Sequence, residues 1–165
     1  MSKALERRKC SLHIRCMEKI RVMIKRSSGN EDIPLPRYMS PNAAGMDIPA
    51  AVTEETTVHP GEIKLISTGI SVALPPGFEA QIRPRSGLAI KHGVSILNTP
   101  GTIDADYRGE IGIILINLGE HPFVVKRGDR VAQMIINKVY HAHLEFSADL
   151  CVTERNDGGF GHTGV

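Results

Sequence analysis

Short apolar runs, each closed by glycine, proline or a polar turn, most limit what this chain can fold into. Gly61-Glu-Ile-Lys-Leu-Ile66 and Gly69-Ile-Ser-Val-Ala-Leu74 flank Ser67 and Thr68, and Pro75-Pro-Gly77 turns the chain into Phe78-Glu-Ala-Gln-Ile-Arg83. Val94–Leu97, Ile111–Ile116, His121–Lys126 and the longer Val131–Tyr140 follow. These runs have the length of strands, and none sustains a helical apolar period; Ser86-Gly-Leu-Ala-Ile-Lys91 has room for a turn or two. With 16 Gly and 10 Pro in 165 residues, the pattern predicts an all-β sandwich or barrel in one domain. Near the start, Ile20, Val22 and Ile24 alternate and predict a half-buried strand from Lys19. Pro34 and Pro36 keep the polar segment 26–41 out of a helix.

A formal charge of +2 and 23% charged residues give no sign of a dedicated polyanion surface, so no stable nucleic-acid partner is expected. No run approaches the ~18 apolar residues of a membrane-spanning helix. Cys10, Cys16 and Cys151 form no CxxC pair, which favours a reducing, cytoplasmic compartment. Residues 1–16 carry Lys3, Arg7, Arg8, Lys9 and Arg15 against Glu6. They lack the apolar stretch of a secretory signal. An organelle leader, an upstream start codon and vector-derived residues are the alternatives, and the segment is expected to be dispensable. The division that follows is a basic extension over 1–16, a β-barrel domain over 17–150 and a C-terminal arm over 151–165.

Between two strand-like runs lies Asn98-Thr-Pro-Gly-Thr-Ile-Asp-Ala-Asp-Tyr-Arg-Gly-Glu110. Pro100, Gly101 and Gly109 make it the wide connection of a β-hairpin. A chain reversal needs little beyond Gly, Asn or Asp. This one adds Asp104, Asp106, Tyr107 and Arg108, which points to a pocket. Pro84-Arg-Ser-Gly-Leu-Ala89 places Arg85, Ser86 and Gly87 where a helix capped by Ser86 would offer free amides to an anion. Asp47 sits among small and apolar residues, so its carboxylate needs a partner, either an arginine or a hydrated metal ion. In Arg127-Gly-Asp-Arg-Val-Ala-Gln133, Gly128-Asp129 is ordinary turn chemistry, whereas Gln133 is an amide inside an apolar run.

Arg155-Asn-Asp-Gly-Gly-Phe-Gly-His-Thr-Gly-Val165 has glycines that make ordering costly, and no helix can follow it as a Walker or Rossmann loop requires. A flap closing on a ligand explains it better than a frayed end does: Phe160 stacks while Arg155 and Thr163 hold an anion. His141-x-His143 with Cys151 lacks the closed four-ligand set that zinc requires.

Together, Ala44-Gly-Met-Asp47, Pro84–Ala89, Asn98–Gly109, Arg127–Gln133 and Arg155–Gly164 resemble, in order, the five motifs of the trimeric deoxyuridine triphosphatase (dUTPase) family. The resemblance covers Met17 to Val165. It implies an all-β, jelly-roll-like β-barrel with distorted strands, little helix and a C-terminal glycine-rich flap. It implies Mg²⁺-assisted hydrolysis of dUTP to dUMP and pyrophosphate, which keeps uracil out of DNA and supplies dUMP for thymidylate synthesis. It also implies a homotrimer whose active sites are shared between subunits. Asn98 and backbone groups of Gly101, Thr102, Ile103 and Gly112 would hold uracil, and Tyr107 would contact the deoxyribose. Asp104 would be the general base, with Asp106 structural. Arg85, Ser86, Gly87 and Gln133 would bind phosphates. Asp47, and in second place Gln133, would touch Mg²⁺ through water. Arg155, His162 and Thr163 would engage the γ-phosphate, with Phe160 and Gly161 over the base. Thr102, Asn156 and His162 depart from residues common in the family. A dCTP deaminase-type or bifunctional relative would lack the Gly-Gly-Phe-Gly flap. A non-enzymic dUTP-binding regulatory module would have lost its base or its flap.

Overall fold

The structure, a computed structural model, describes residues 18–159. Within them are twelve strands and one helix. In chain order the first strands are β1 (Met23–Arg26), β2 (Arg37–Tyr38), β3 (Met46–Pro49), β4 (Thr56–Val58), β5 (Ile63–Ser67), β6 (Ile70–Ala73) and β7 (Phe78–Arg83). Helix α1 (Ser86–His92) precedes β8 (Val94–Ile96), β9 (Gly101–Ile103), β10 (Gly112–Asn117), β11 (Phe123–Val125) and β12 (Arg130–Lys138). The ladders are β2-β3-β12-β7-β9, β5-β10-β8, β1-β6 and β11-β4. All pairings are antiparallel, and the fold is jelly-roll-like, as expected. Among the described residues the ladders do not join into one closed ring.

One core lies between them. It takes Ile48, Ala80, Ile82 and Met134 from the five-stranded sheet and Ile66, Ile96, Ile113 and Leu115 from the three-stranded one, with Val58, Val72 and Val125 from the short ladders. These are mostly β-branched or aliphatic side chains, which suit a pleated surface. Asn117 is fully buried among them, yet satisfied: its Nδ2 donates to Val58 O and His121 O, each at 2.8 Å, and its Oδ1 accepts from Gly119 N at 2.9 Å.

The predicted runs at 61–66, 69–74, 78–83, 94–97, 111–116, 121–126 and 131–140 all contain strands. Three expectations need correction. The first strand begins at Met23 rather than Lys19, and Met23, Ile24 and Lys25 are exposed; pairing with β6, not an apolar face, defines it. Ser86 is the first helical residue rather than the cap: Arg85 holds the N-cap position, with no side-chain cap bond. The connection after β8 is no simple hairpin loop, because it contains β9. Leu115 does pair with Ile96, so β8 and β10 are neighbours, but β9 crosses to pair with β7 in the other sheet.

Candidate functional site

Asp47 is the centre of the first cluster. Pairing places Arg37, Asp47, Gln133 and Arg83 in one row across β2, β3, β12 and β7. A bulge between Arg130 and Ala132 bends the start of β12 beside it. Asp47 is only 3% exposed. Gln133 Nε2 donates to its Oδ1 at 2.8 Å, and Arg130 Nη1 to its Oδ2 at 3.0 Å. Arg85 Nη2 lies 3.4 Å from the same Oδ2, while Arg85 Nη1 donates to Arg130 O at 2.7 Å. Of the two partners foreseen for Asp47, the chain itself supplies the arginines. A buried carboxylate between two guanidiniums leaves the cluster net positive, with both arginines partly open to solvent. Ser86 and Gly87 follow on the exposed first turn of α1, which contains no acidic residue. Their amides precede the first intrahelical bond and stay available to an acceptor.

The turn before β12 is structural, as its composition suggested. Gly128 has φ +83°, and Asp129 Oδ2 accepts from Lys126 N at 2.8 Å. Arg127 clamps a neighbouring loop, donating to both Asp32 oxygens at 2.7 and 2.8 Å and to Gly29 O at 2.9 Å. That contact lowers the Asp32 pKa and raises that of Arg127.

The second cluster is a pocket made by the crossing of β9. The chain leaves the β8–β10 sheet, lays Gly101–Ile103 against β7, then returns. A cavity of about 340 Å³ opens between the two sheets, walled by Leu65 and Ile114 and lined by Thr102, Ile103, Asp104, Tyr107, Glu110 and Gly112. Gly112 packs so closely that an added Cβ would stand 2.7 Å from Leu65 Cδ1. Asn98 is exposed beside Gly101, whose Cβ position lies 3.2 Å from Asn98 Nδ2. Tyr107 folds back over Gly109 and donates from Oη to Glu110 O at 3.0 Å. Arg108 Nη1 braces the loop from within, donating to Ala105 O and Tyr107 O at 2.6 and 2.8 Å. Asp104 is exposed and lines both this cavity and a second cleft of about 650 Å³, which Asp106, Arg108 and Glu79 also border.

The two clusters stand apart in one chain. Ile103 pairs with Ala80, so Asp104 is level with the start of β7, whereas Arg85 follows its far end. Five to six extended residues separate them, about 16–20 Å along the strand. Arg155 belongs to neither: it is exposed, donating from Nε to Gly158 O at 2.8 Å. Asn156 next to it has φ +45°, a conformation that Asn tolerates among non-glycine residues. Phe160, Gly161, His162 and Thr163 lie outside the described residues. Sequence reasoning missed Arg130 and Glu110. Arg130 was masked by its turn, and only the strand register brings it to Asp47.

The dUTPase family model matches residues 31–164. The chain belongs to the dUTPase family. It is 58% identical over 142 residues to the deoxyuridine 5'-triphosphate nucleotidohydrolase of Caldanaerobacter subterraneus subsp. tengcongensis, covering 86% of this chain and 96% of that one. It is 55% identical over 148 residues to the enzyme of the same name from Syntrophotalea carbinolica, covering 90% and 99%. Among solved structures, the dUTPase of Staphylococcus bacteriophage 80alpha with dUpNHpp superposes with a TM-score of 0.80 at 26% identity, covering 89% of this chain and all of that one. The dUTPase fold thus carries both clusters here, along with four of the five motifs that marked the family in the sequence. Of the fifth, Arg155 to Gly159 is described.

Proposed function

We propose that this dUTPase-family chain hydrolyses dUTP to dUMP and pyrophosphate, with uracil and deoxyribose in the β9–β10 pocket and Asp104 as general base. The observation that carries the reading is the placement of Asp104 and Tyr107 on one cavity, whose other walls are Leu65, Thr102, Ile103, Glu110, Gly112 and Ile114. Asn98 and the backbone from Gly101 to Gly112 meet the base edge. A close-fitting backbone wall leaves no room for thymine's 5-methyl group. Mismatched buried polar groups would reject cytosine. Tyr107 stands against the sugar and excludes a 2′-hydroxyl.

Asp104 takes a proton from water as its oxygen attacks the α-phosphorus in line, and pyrophosphate leaves with the bridging oxygen. A positioned base of this kind contributes roughly 10²–10⁴-fold. Arg85, the Ser86 and Gly87 amides and Gln133 bind the phosphate oxygens. Arg155, His162 and Thr163 reach the γ-phosphate, with Phe160 and Gly161 covering the base, as the 151–165 arm closes over the 17–150 domain.

Magnesium fits the residues in a limited way. Asp47 Oδ2 is taken by two arginines, while Oδ1 accepts one bond from Gln133 and keeps a lone pair. Such a carboxylate suits a water of a hydrated Mg²⁺ better than the ion itself. The triphosphate would supply the inner ligands. When bound, the ion would neutralise phosphate charge, and Asp47 and Gln133 would hold its water shell.

The separation of the clusters supports sites shared between copies in a homotrimer. A triphosphate whose α-phosphorus touches Asp104 does not extend to Arg85 of the same chain, about 16–20 Å away along β7. The segment after β12 supports assembly too: Tyr140, Leu144, Phe146, Leu150 and Val152 are all exposed along it, an apolar series that a lone chain leaves uncovered. No helix among the described residues is long and apolar enough to cross a membrane. Pyrophosphate release from dUTP, dTTP, dCTP and UTP with Mg²⁺ tests the reading. Turnover of dUTP alone supports it, and comparable turnover of dTTP or UTP overturns it.

A further inference from the structure

Glu110 has no part in that mechanism, yet donors from two other segments converge on its carboxylate. Ser67 Oγ and the Gly69 amide both donate to Oε1, the amide at 3.1 Å, and Ser27 Oγ donates to Oε2 at 3.2 Å. The donors come from the end of β1 and from the β5–β6 turn, so one side chain ties the returning hairpin to two other segments. Partial burial acts to raise the Glu110 pKa, but hydrogen bonds from Ser67, Gly69, Ser27 and Thr68 outweigh it and lower it. Immediately beyond, Ile111 N donates to Ile70 O at 2.9 Å and Thr68 Oγ1 to Ile111 O at 2.6 Å. The backbone at 110–111 is therefore fixed from both sides.

That fixed backbone is what Tyr107 leans on. Its Oη donates to the Glu110 carbonyl at 3.0 Å, and its ring occupies the space where a Cβ on residue 109 would be. Tyr107 is itself 43% exposed, so little else holds the ring. We infer that Glu110 is a positioning residue: its anchored carboxylate sets the carbonyl that fixes the Tyr107 ring over the cavity, and through it the discrimination between deoxyribo- and ribonucleotide. The inference rests on the reading of Tyr107 as the sugar contact.

The test compares kcat/KM for dUTP and UTP in the full-length protein. Glu110→Ala narrows the dUTP:UTP ratio by about ten- to a hundredfold, the scale set by a displacement of roughly 1 Å in a reacting site. A residue that merely stabilised the fold would reduce the active fraction and scale both substrates equally, leaving the ratio unchanged. Glu110→Gln keeps an Oε1 for both Ser67 and Gly69, and holds the ratio within about threefold of the parent, the cost of one weakened hydrogen bond. Should Glu110→Ala fail to fold, Ser67→Ala removes one donor and shifts the ratio the same way by a smaller factor. Tyr107→Ala separates the two ideas. If it collapses the ratio while Glu110→Ala and Ser67→Ala do not, the inference about Glu110 is overturned and the reading of Tyr107 stands. If Tyr107→Ala leaves the ratio unchanged, the sugar contact itself is wrong and the inference goes with it.

Discussion

The two ends of β7 build their clusters from different materials. At the Arg83 end, complementary charge does the holding: Asp47 is buried between Arg130 and Gln133, brought there by strand register, and Arg85 at the start of α1. At the Phe78 end, backbone does it: β9 crosses between sheets, Gly101, Gly109 and Gly112 allow close approach, and the carboxylate of Asp104 stands exposed. The charged cluster is complete in one chain but carries no group placed to activate water. The backbone pocket carries the proposed base, and Arg108 beside it is hydrogen-bonded to the loop carbonyls of Ala105 and Tyr107. On the proposed reading, recognition and charge neutralisation stand at opposite ends of β7, and a second copy would reunite them.

The largest effect should come from the pocket end. Asp104→Asn keeps the shape of the carboxylate and removes its basicity, so dUTP binding persists while turnover falls by at least ~10²–10⁴-fold. Near-normal turnover would take Asp104 out of its role. A mixing experiment sharpens the contrast itself. Asp104→Asn and Arg85→Ala chains, each nearly inactive, are unfolded together and reassembled in equal amounts. If each site takes its pocket from one copy and its charged cluster from another, about a quarter of the sites pair two intact halves, and activity returns to about that fraction. No recovery would mean that both clusters serve the same dUTP within one chain.

Much of this was legible beforehand, for identifiable reasons. Strands such as Phe78–Arg83 and Arg130–Lys138 alternate or carry long apolar runs, and periodicity is a signal that tertiary context seldom overrides. The strands that escaped were β2, β3, β4 and β9. They are two to four residues long, too short for any period, and long-range pairing alone defines them. The pocket was visible as an excess of functional groups over what a turn needs, but its form was not, because the partner of Gly101–Ile103 lies about twenty residues away on β7. For Asp47, burial chemistry demanded a partner without naming it. The answer came from Arg130, which in sequence looks like part of a turn.

The charged end yields a smaller, structural effect. Asp47→Ala leaves two guanidiniums facing each other with their shared carboxylate gone. Both are partly solvated, with side chains 24% and 43% exposed, so the loss is below that of a fully buried pair, about 1–3 kcal/mol. Thermal unfolding should show it as a lowered Tm. Tyr107→Ala, at the exposed end, should cost under about 1 kcal/mol. Equal losses would erase the distinction between a charge-locked cluster and a backbone-shaped pocket.

The smallest effect concerns acid. The folded state lowers the Glu110 pKa through its Ser67, Gly69, Ser27 and Thr68 donors, against the pull of partial burial. In the unfolded chain the group titrates near the ordinary value of about 4.3. Below that value the unfolded state binds the proton first, so stability rises with pH across the window. The contribution of Glu110 is complete above the unfolded pKa and disappears as pH falls through the folded one. Asp32, held down by Arg127, and Glu62, held down by the His59 amide, act in the same direction. All three therefore steepen the acid limb, and only Glu110 does so at the pocket. Glu110→Gln isolates its share: the stability difference between parent and variant should shrink as pH drops from about 5 toward 3, while the Asp32 and Glu62 components persist in both. A difference that stays constant across that range would mean the donors around Glu110 hold its shape without favouring its charge.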